Sequence, residues 1–263
     1  MKAQRLLRRW GRRCAKLAEE IRGLAGQCQA AGGAEQVHEL RVALRRLRLY
    51  VRVGRRVLKG AVGSELGRWA RAVAQASGPV RDYDVTLEWL QQKPEGAALA
   101  GQLQARRNRL WQRRKATVSA FPAAVIEGIK AVQKKSKPAD RLARQFAKRE
   151  ARLQQGVRGQ LARFFELEAP EQHEFRRLVR WWRYLRELTL RKGEASADVL
   201  LKRLIRLQEA LGERQNLAIA AAILGRIRPA TQTLALRQLL TEEQAAWEKK
   251  TKQALLALAR ARA

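Results

Sequence analysis

Histidine occurs twice in 263 residues, cysteine twice, methionine once and proline six times. So little histidine and cysteine leaves no zinc-ligand spacing of the usual kind and no HExxH pair. Cys14 and Cys28 stand at no CxxC spacing and read as two reduced, buried thiols of a cytosolic protein. Sparse proline, with long stretches rich in Ala, Leu, Arg, Gln and Glu, predicts helix. There is no run of 18 apolar residues and no short apolar segment before a small-residue cleavage site, so neither a membrane span nor a secretory signal is expected. The opening MKAQRLLRRWGRR resembles an Arg-rich transit peptide, but its pattern recurs inside the chain and is read as helix. Acid is also short: 24 Asp plus Glu face 56 Lys plus Arg, a formal balance of +32. Such an excess points to a polyanionic partner: nucleic acid, a phosphate polymer or an anionic membrane. Apolar residues still make up 46% of the chain, enough for a real core.

What is present is an internal repeat. VHELRVALRRLRLY from Val37 lies over QHEFRRLVRWWRYL from Gln172, so that His38, Glu39, Arg41, Arg45 and Arg48 match His173, Glu174, Arg176, Arg180 and Arg183 at an offset of 135. The two histidines fall on each other. GPVRDYDV from Gly78 and GERQNLAI from Gly212 align at an offset of 134, pairing Arg81 with Gln215 and Asp82 with Asn216. Upstream, Arg5, Arg8, Arg12 and Lys16 align with Arg141, Arg144, Lys148 and Arg152 at an offset of 136. The chain is therefore read as two related halves, 1–132 and 140–263, joined through VQKKSKPAD.

Each half reads as four long helices, hence all-α, two four-helix bundles from an internal duplication. Breaks are expected at AAGGAE, LKGAVGSE, ASGPV and QKPEGA, then at LEAPEQ, RKGEASAD and GRIRPAT. Ser64 and Pro170 are expected helix starts, and Gly78 with Pro79 an expected stop. Asp82 and Asn216 read as helix caps.

A helix turns by about 100° per residue. On that wheel Arg41, Arg45, Arg48 and Arg52 lie within about 80° of His38, whereas Leu40, Leu44, Leu47 and Val51 gather on the opposite side. The result is a cationic ribbon about 21 Å long at 1.5 Å per residue. His173, Arg176, Arg180 and Arg183 repeat it, with Glu187 in the place of Arg52. Arg5, Arg8, Arg12 and Lys16 share a face, as do Arg141, Arg144, Lys148 and Arg152.

The ordered set resembles the conserved histidine α-helical domain, or CHAD domain. VHELRVALRRLR meets its pattern, GPVRDYDV extends it, and Arg183, Tyr184 and Glu187 fit its LRY followed by E; the resemblance covers essentially the whole chain. It implies two pseudo-symmetric four-helix bundles around a basic central cavity or pore that binds inorganic polyphosphate, sometimes at polyphosphate granules, without turnover; the cytoplasmic setting comes from the cysteine reading above. Carried over, it puts His38, Arg41, Arg45 and Arg48 on the ligand, with His173, Arg176, Arg180 and Arg183 opposite. Arg52 extends the first ribbon; the stripes from Arg5 and Arg141, together with Arg81, are secondary contacts. Trp181 and Trp182 depart from the first half, which has Arg46 and Leu47 there.

Arginine forks engage phosphate oxygens two at a time, and an unfilled site of this kind draws sulfate or phosphate as surrogates. Histidine fits as a neutral donor at pH 7 that gains charge beside a phosphate. No metal or cofactor is expected. Two rivals remain. A nucleic-acid binder would use the same charge, but no groove-reading element or aromatic sheet face is present. A polyphosphate-processing enzyme needs gathered carboxylates or a phosphate loop; ELEAP at Glu166 lacks the following Lys of ExExK, and no GxxxxGK[ST] occurs. The seven Trp read as core or interface anchors, and the apolar faces as used up in bundle cores, which disfavours a membrane role.

Overall fold

The structure, a computed structural model, describes residues 3–58, 62–133, 138–190 and 193–260. Among these residues the chain is all helix and short 3₁₀ turns, with no strand. The α-helices are α1 (Ala3–Ala30), α2 (Ala34–Val53), α3 (Val62–Leu90), α4 (Ala97–Arg114), α5 (Ala123–Gln133), α6 (Ala139–Arg158), α7 (Ala169–Thr189), the short α8 (Glu194–Ala197), α9 (Val199–Leu224) and α10 (Leu234–Ala259). None is long and apolar enough to cross a membrane among the described residues.

Two compact units result, and their borders differ from those expected at 1–132 and 140–263. The first unit is Met1–Arg81 with Ala105–Arg149; the second is Asp82–Gln104 with Glu150–Ala263. The difference has a plain cause: α3, α4 and α6 each begin in one unit and end in the other.

In the first unit α1 and α2 form an antiparallel pair whose seam is apolar. Leu6, Trp10, Cys14, Leu17, Ile21 and Cys28 are buried along α1 at helical spacing, facing Leu40, Leu44 and Leu47 on α2. An indole hydrogen bond stands near each end of α1. Trp10 donates to the Tyr50 carbonyl at 3.0 Å, near the end of α2. Trp111 of α4 donates to the Cys28 carbonyl at 3.2 Å, in the last turn of α1. Both rings need room that only glycine leaves. At Gly32, where φ is +63°, a Cβ would lie 1.7 Å from the Trp111 Nε1. At Gly54 it would lie 2.3 Å from the Trp10 ring. Burial pushes the Cys28 thiol up to about 11, against a downward pull from Arg107, and raises Cys14 as well. Both are packing residues, not nucleophiles.

In the second unit Leu87, Leu90, Leu103, Leu217, Leu224 and Leu240 share one core. Trp89 donates to Glu243 of α10 at 2.9 Å, and Lys93 pairs with the same carboxylate. Burial raises the Glu243 carboxyl, but the bonds from Lys93 and Trp89 outweigh it and hold the group below its ordinary range. Helix α7 opens with Pro170 in its first turn, as expected, and with the Glu168 amide donating to Glu171 at 3.0 Å.

Several sequence expectations are corrected. The stop at Gly78 and Pro79 does not occur: Pro79 lies inside α3. Proline has no N–H to offer the carbonyl four residues back and crowds it. That carbonyl is Gln75's, and Arg114 donates its Nη1 to it at 2.9 Å. A charged donor from α4 thus replaces the missing backbone bond, and the helix continues. Asp82 and Asn216 consequently lie within α3 and α9, and neither caps a helix. The α9 cap is Asp198, which accepts from the Leu201 amide at 2.6 Å. Helix α3 begins at Val62, two residues before Ser64, and α5 adds a helix to the first half. The breaks at AAGGAE, QKPEGA, LEAPEQ and GRIRPAT fall between helices. Residues 59–61 of LKGAVGSE, 134–137 of VQKKSKPAD and 191–192 of RKGEASAD lie outside the described residues.

The Arg114 bond predicts a coupling. Arg114→Met is expected to cost about 1 kcal/mol of stability, and close to nothing once Pro79→Ala restores the N–H. A double-mutant cycle in urea measures it; equal costs in both backgrounds would remove Arg114 from this role.

Candidate functional site

The α2 ribbon lies within the first unit. Its wheel is as expected: Leu40, Leu44, Leu47 and Val51 are buried, while Arg48 and Arg52 are exposed and His38, Arg41 and Arg45 half-buried. Arg41 is tied to α3. Its Nη1 donates to the Ser77 hydroxyl at 2.8 Å and lies 3.4 Å from the Ala74 carbonyl. Buried Ser77 in turn donates its hydroxyl to the Val73 carbonyl at 2.6 Å. A Cβ on Gly78 would sit 3.9 Å from the same Arg41 nitrogen. The second unit repeats the arrangement: a Cβ on Gly212 would sit 3.6 Å from Arg176 Nη2. The two arginines that match in sequence therefore pack against the two glycines that match. Sequence alignment hinted at this pairing, and spacing alone did not.

The α7 ribbon lies within the second unit. His173 is exposed, and Arg176, Arg180 and Arg183 are half-buried. Partial burial first, then the cations Arg176, Arg180 and Arg177, lower the His173 pKa from its ordinary 6.5, with Glu174 pulling the other way. The ring is thus neutral at pH 7. Two carboxylates on the same helix offset part of the charge: Arg183 donates its Nε to Glu187 at 2.7 Å, and Arg177 pairs with Glu174. Trp182 is buried where the first half has Leu47, and Trp181 takes the Arg177 guanidinium over its ring at 5.0 Å.

Arg186 was not singled out in the sequence. It stands where Val51 stands in the first half, and instead of filling a core it binds Asp198 at 2.7 Å and Glu150 at 3.7 Å. Burial raises the Asp198 carboxyl, but the Arg186 fork and the Leu201 amide bring it below its ordinary range. The signal was available only as a charged residue at an apolar position of the repeat.

Among the secondary residues, Arg5, Arg8, Arg12 and Lys16 are exposed along α1, and Arg81 is half-buried. The α6 stripe is divided: Arg141, Arg144 and Lys148 belong to the first unit and Arg152 to the second. Arg141, Arg144 and Lys148 line a recess of about 290 Å³ together with Gln145 and Arg56. Arg56 was missed because it follows α2 in a turn, where helical periodicity has no meaning.

Charge is divided unequally. The first unit holds 33 Lys plus Arg against 7 Asp plus Glu, a balance of +26; the second holds 23 against 17, a balance of +6. Among the described residues no three His, Cys, Asp or Glu side chains gather in a set able to hold a metal ion. Five of the seven tryptophans are buried, Trp10, Trp69, Trp89, Trp111 and Trp182, as expected of anchors.

Helices throughout, with matched histidine and arginine ribbons on α2 and α7, define a basic all-helical domain built on an internal repeat. Residues 15–225 match the family model described as CHAD domain, and the chain belongs to that family. Two solved structures share the fold. The crystal structure of the CHAD domain from the plant Ricinus communis superposes with a TM-score of 0.73 at 20% identity, covering 98% of this chain and 93% of the other. PptA from Streptomyces chartreusis gives a TM-score of 0.59 at 17% identity, with 98% of each chain covered. No curated protein matches the sequence.

His173 gives a test of the α7 geometry. Its NMR titration midpoint in the unliganded protein is expected below 6.5, and Arg180→Gln is expected to raise it by removing a neighbouring cation. A midpoint at or above the ordinary value, unmoved by the substitution, would contradict the arrangement.

Proposed function

We propose that the chain binds inorganic polyphosphate without turning it over, through His38, Arg41, Arg45, Arg48 and Arg52 on α2 and through His173, Arg176, Arg180 and Arg183 on α7. The setting is the cytoplasm, at polyphosphate granules. The observation that carries the reading is the α2 ribbon: one histidine and four arginines on a single helix face, within a unit of net charge +26. Membership of the CHAD domain family supports the same ligand class. A phosphate polymer offers a repeated row of anionic oxygens and no base edges, and arginine forks at helical spacing suit such a row.

The ribbons contribute unequally in this reading. Glu187 holds Arg183 on α7, whereas the matching position on α2 is Arg52. The second unit is also nearly balanced in charge. Arg41 has a double role, anchoring α2 to α3 and presenting charge, so its removal tests both together.

Arg45→Glu is expected to weaken long-chain polyphosphate binding by more than about tenfold and Arg180→Glu by less, with Lys249→Glu and Lys250→Glu within about twofold of the parent. Equal losses at all four would dissolve the ribbons as a site. Binding should loosen steeply with salt, and long polyphosphate should displace a labelled oligonucleotide at moderate salt; failure to displace it favours nucleic acid as the ligand. Incubation with polyphosphate and Mg²⁺ should release no phosphate above the blank, and release would overturn the non-catalytic assignment.

Protonation supplies a separate check. Polyphosphate beside His173 raises the ring's pKa above its lowered value in the free protein, so binding takes up a proton. Affinity should therefore rise as pH falls through the raised value, and the His173→Gln variant should lose that component. A His173→Gln profile identical to the parent's would place the histidine away from the ligand.

A further inference from the structure

The recess of the first unit is the strongest feature that the ribbons do not absorb. Arg141, Arg144 and Lys148 stand on α6 at i, i+3 and i+7, which aligns them on one face over about 10 Å of helix. Arg56 comes from the turn after α2, where the Val57 amide bonds back to the Gly54 carbonyl at 2.9 Å. All four cations are exposed, and the fifth residue of the wall is the half-buried Gln145, a neutral amide. Among the described residues no acidic side chain lines the recess. None of the four cations is ion-paired among the described residues, in contrast to Arg177, Arg183 and Arg186 of the second unit.

Four positive charges around about 290 Å³ repel one another, and only a multivalent anion relieves all four together. A single phosphate is too small to meet both Arg141 and Lys148. A short run of condensed phosphoryl groups spans them, with Arg56 closing from the side. None of the lining residues belongs to the α2 ribbon, so filling the recess does not require the ribbon to be filled.

We propose that Arg56, Arg141, Arg144 and Lys148 form a discrete site for a short run of phosphoryl groups, supplied either by free oligophosphate or by a segment of a longer chain. The ligand class rests on the polyphosphate reading above; the independence of the site rests on the recess. A long chain would gain affinity by occupying recess and ribbon together, whereas a short one would use the recess alone.

Calorimetric titration with tripolyphosphate tests this on the full-length chain. The parent is expected to bind one equivalent, and the Arg141→Gln/Lys148→Gln double variant to bind about tenfold or more weakly. Arg45→Glu should leave tripolyphosphate binding within about twofold while weakening long-chain polyphosphate. Because the substituted side chains are exposed, circular dichroism should match the parent's. Unchanged affinity in the double variant, or an equal loss of tripolyphosphate in Arg45→Glu, overturns the discrete site. Tripolyphosphate held in the recess while long polyphosphate fails to displace an oligonucleotide would keep this site and remove the broader reading. Long-chain affinity lowered by the double variant, with no binding of tripolyphosphate, would show that only a chain segment enters and would overturn the site for free oligophosphate.

Discussion

The first unit is built on an apolar seam between α1 and α2, with the Trp10 indole joining α1 to α2 and the Trp111 indole joining α4 to α1. That unit must keep 33 basic side chains on a compact body with only 7 acidic ones. Self-repulsion at this density favours expansion, so the opposing term has to come from packing. The seam supplies it with Leu, Ile and Cys side chains at helical spacing, and the rings close it at Gly54 and Gly32, where no side chain intervenes. Once the seam is fixed, the opposite face of α2 carries its arginines away from that seam, Arg48 and Arg52 exposed and Arg41 against α3.

Arginine serves two purposes in this fold, and its geometry suits both. Arg114 completes a helix that Pro79 would otherwise break, Arg41 fastens α2 to α3, Arg186 joins Asp198 and Glu150, and Arg214 lies over Phe164 at 5.5 Å and Phe165 at 5.3 Å. In each case a planar fork meets a carbonyl, a hydroxyl, a carboxylate or a ring. Net charge therefore overstates the number of arginines available to a ligand. In the second unit carboxylates on α7 and at the α9 cap take up part of the cationic set.

The helical class, the repeat and the composition of the α2 wheel were legible in the sequence because they depend on spacing along one helix. So were the breaks that rest on Gly32, Pro94, Pro170 and Pro229. What spacing could not reveal was anything that depends on a neighbour in space. Pro79 reads as a stop until Arg114 is seen on its orphaned carbonyl, 39 residues away in sequence. Arg56 reads as one basic residue among many until α6 is placed beside it. The unit borders were hidden for a related reason: a long helix has no sequence mark where it leaves one core and enters another. Comparison of the repeats contained more than the periodicity did, since Val51 against Arg186 and Arg52 against Glu187 already mark the second copy as one that spends its cations internally.

The two compact units therefore differ in charge more than the two sequence halves do: the units balance at +26 and +6, whereas residues 1–132 balance at +17 and residues 140–263 at +12. Equivalent backbone positions keep the histidine, the first arginine and the glycine that it packs against, in both copies. The exchanges gather elsewhere: Arg46 and Leu47 become Trp181 and Trp182, and Gly78 with Pro79 becomes Gly212 with Glu213. Of these, Arg46 to Trp181 removes a cation and Pro79 to Glu213 adds an acid, while Leu47 to Trp182 only enlarges an apolar side chain. A unit with less net charge repels itself less when compacted. Self-repulsion is therefore concentrated in the first unit, and that is where packing along the α1 and α2 seam has the most to offset.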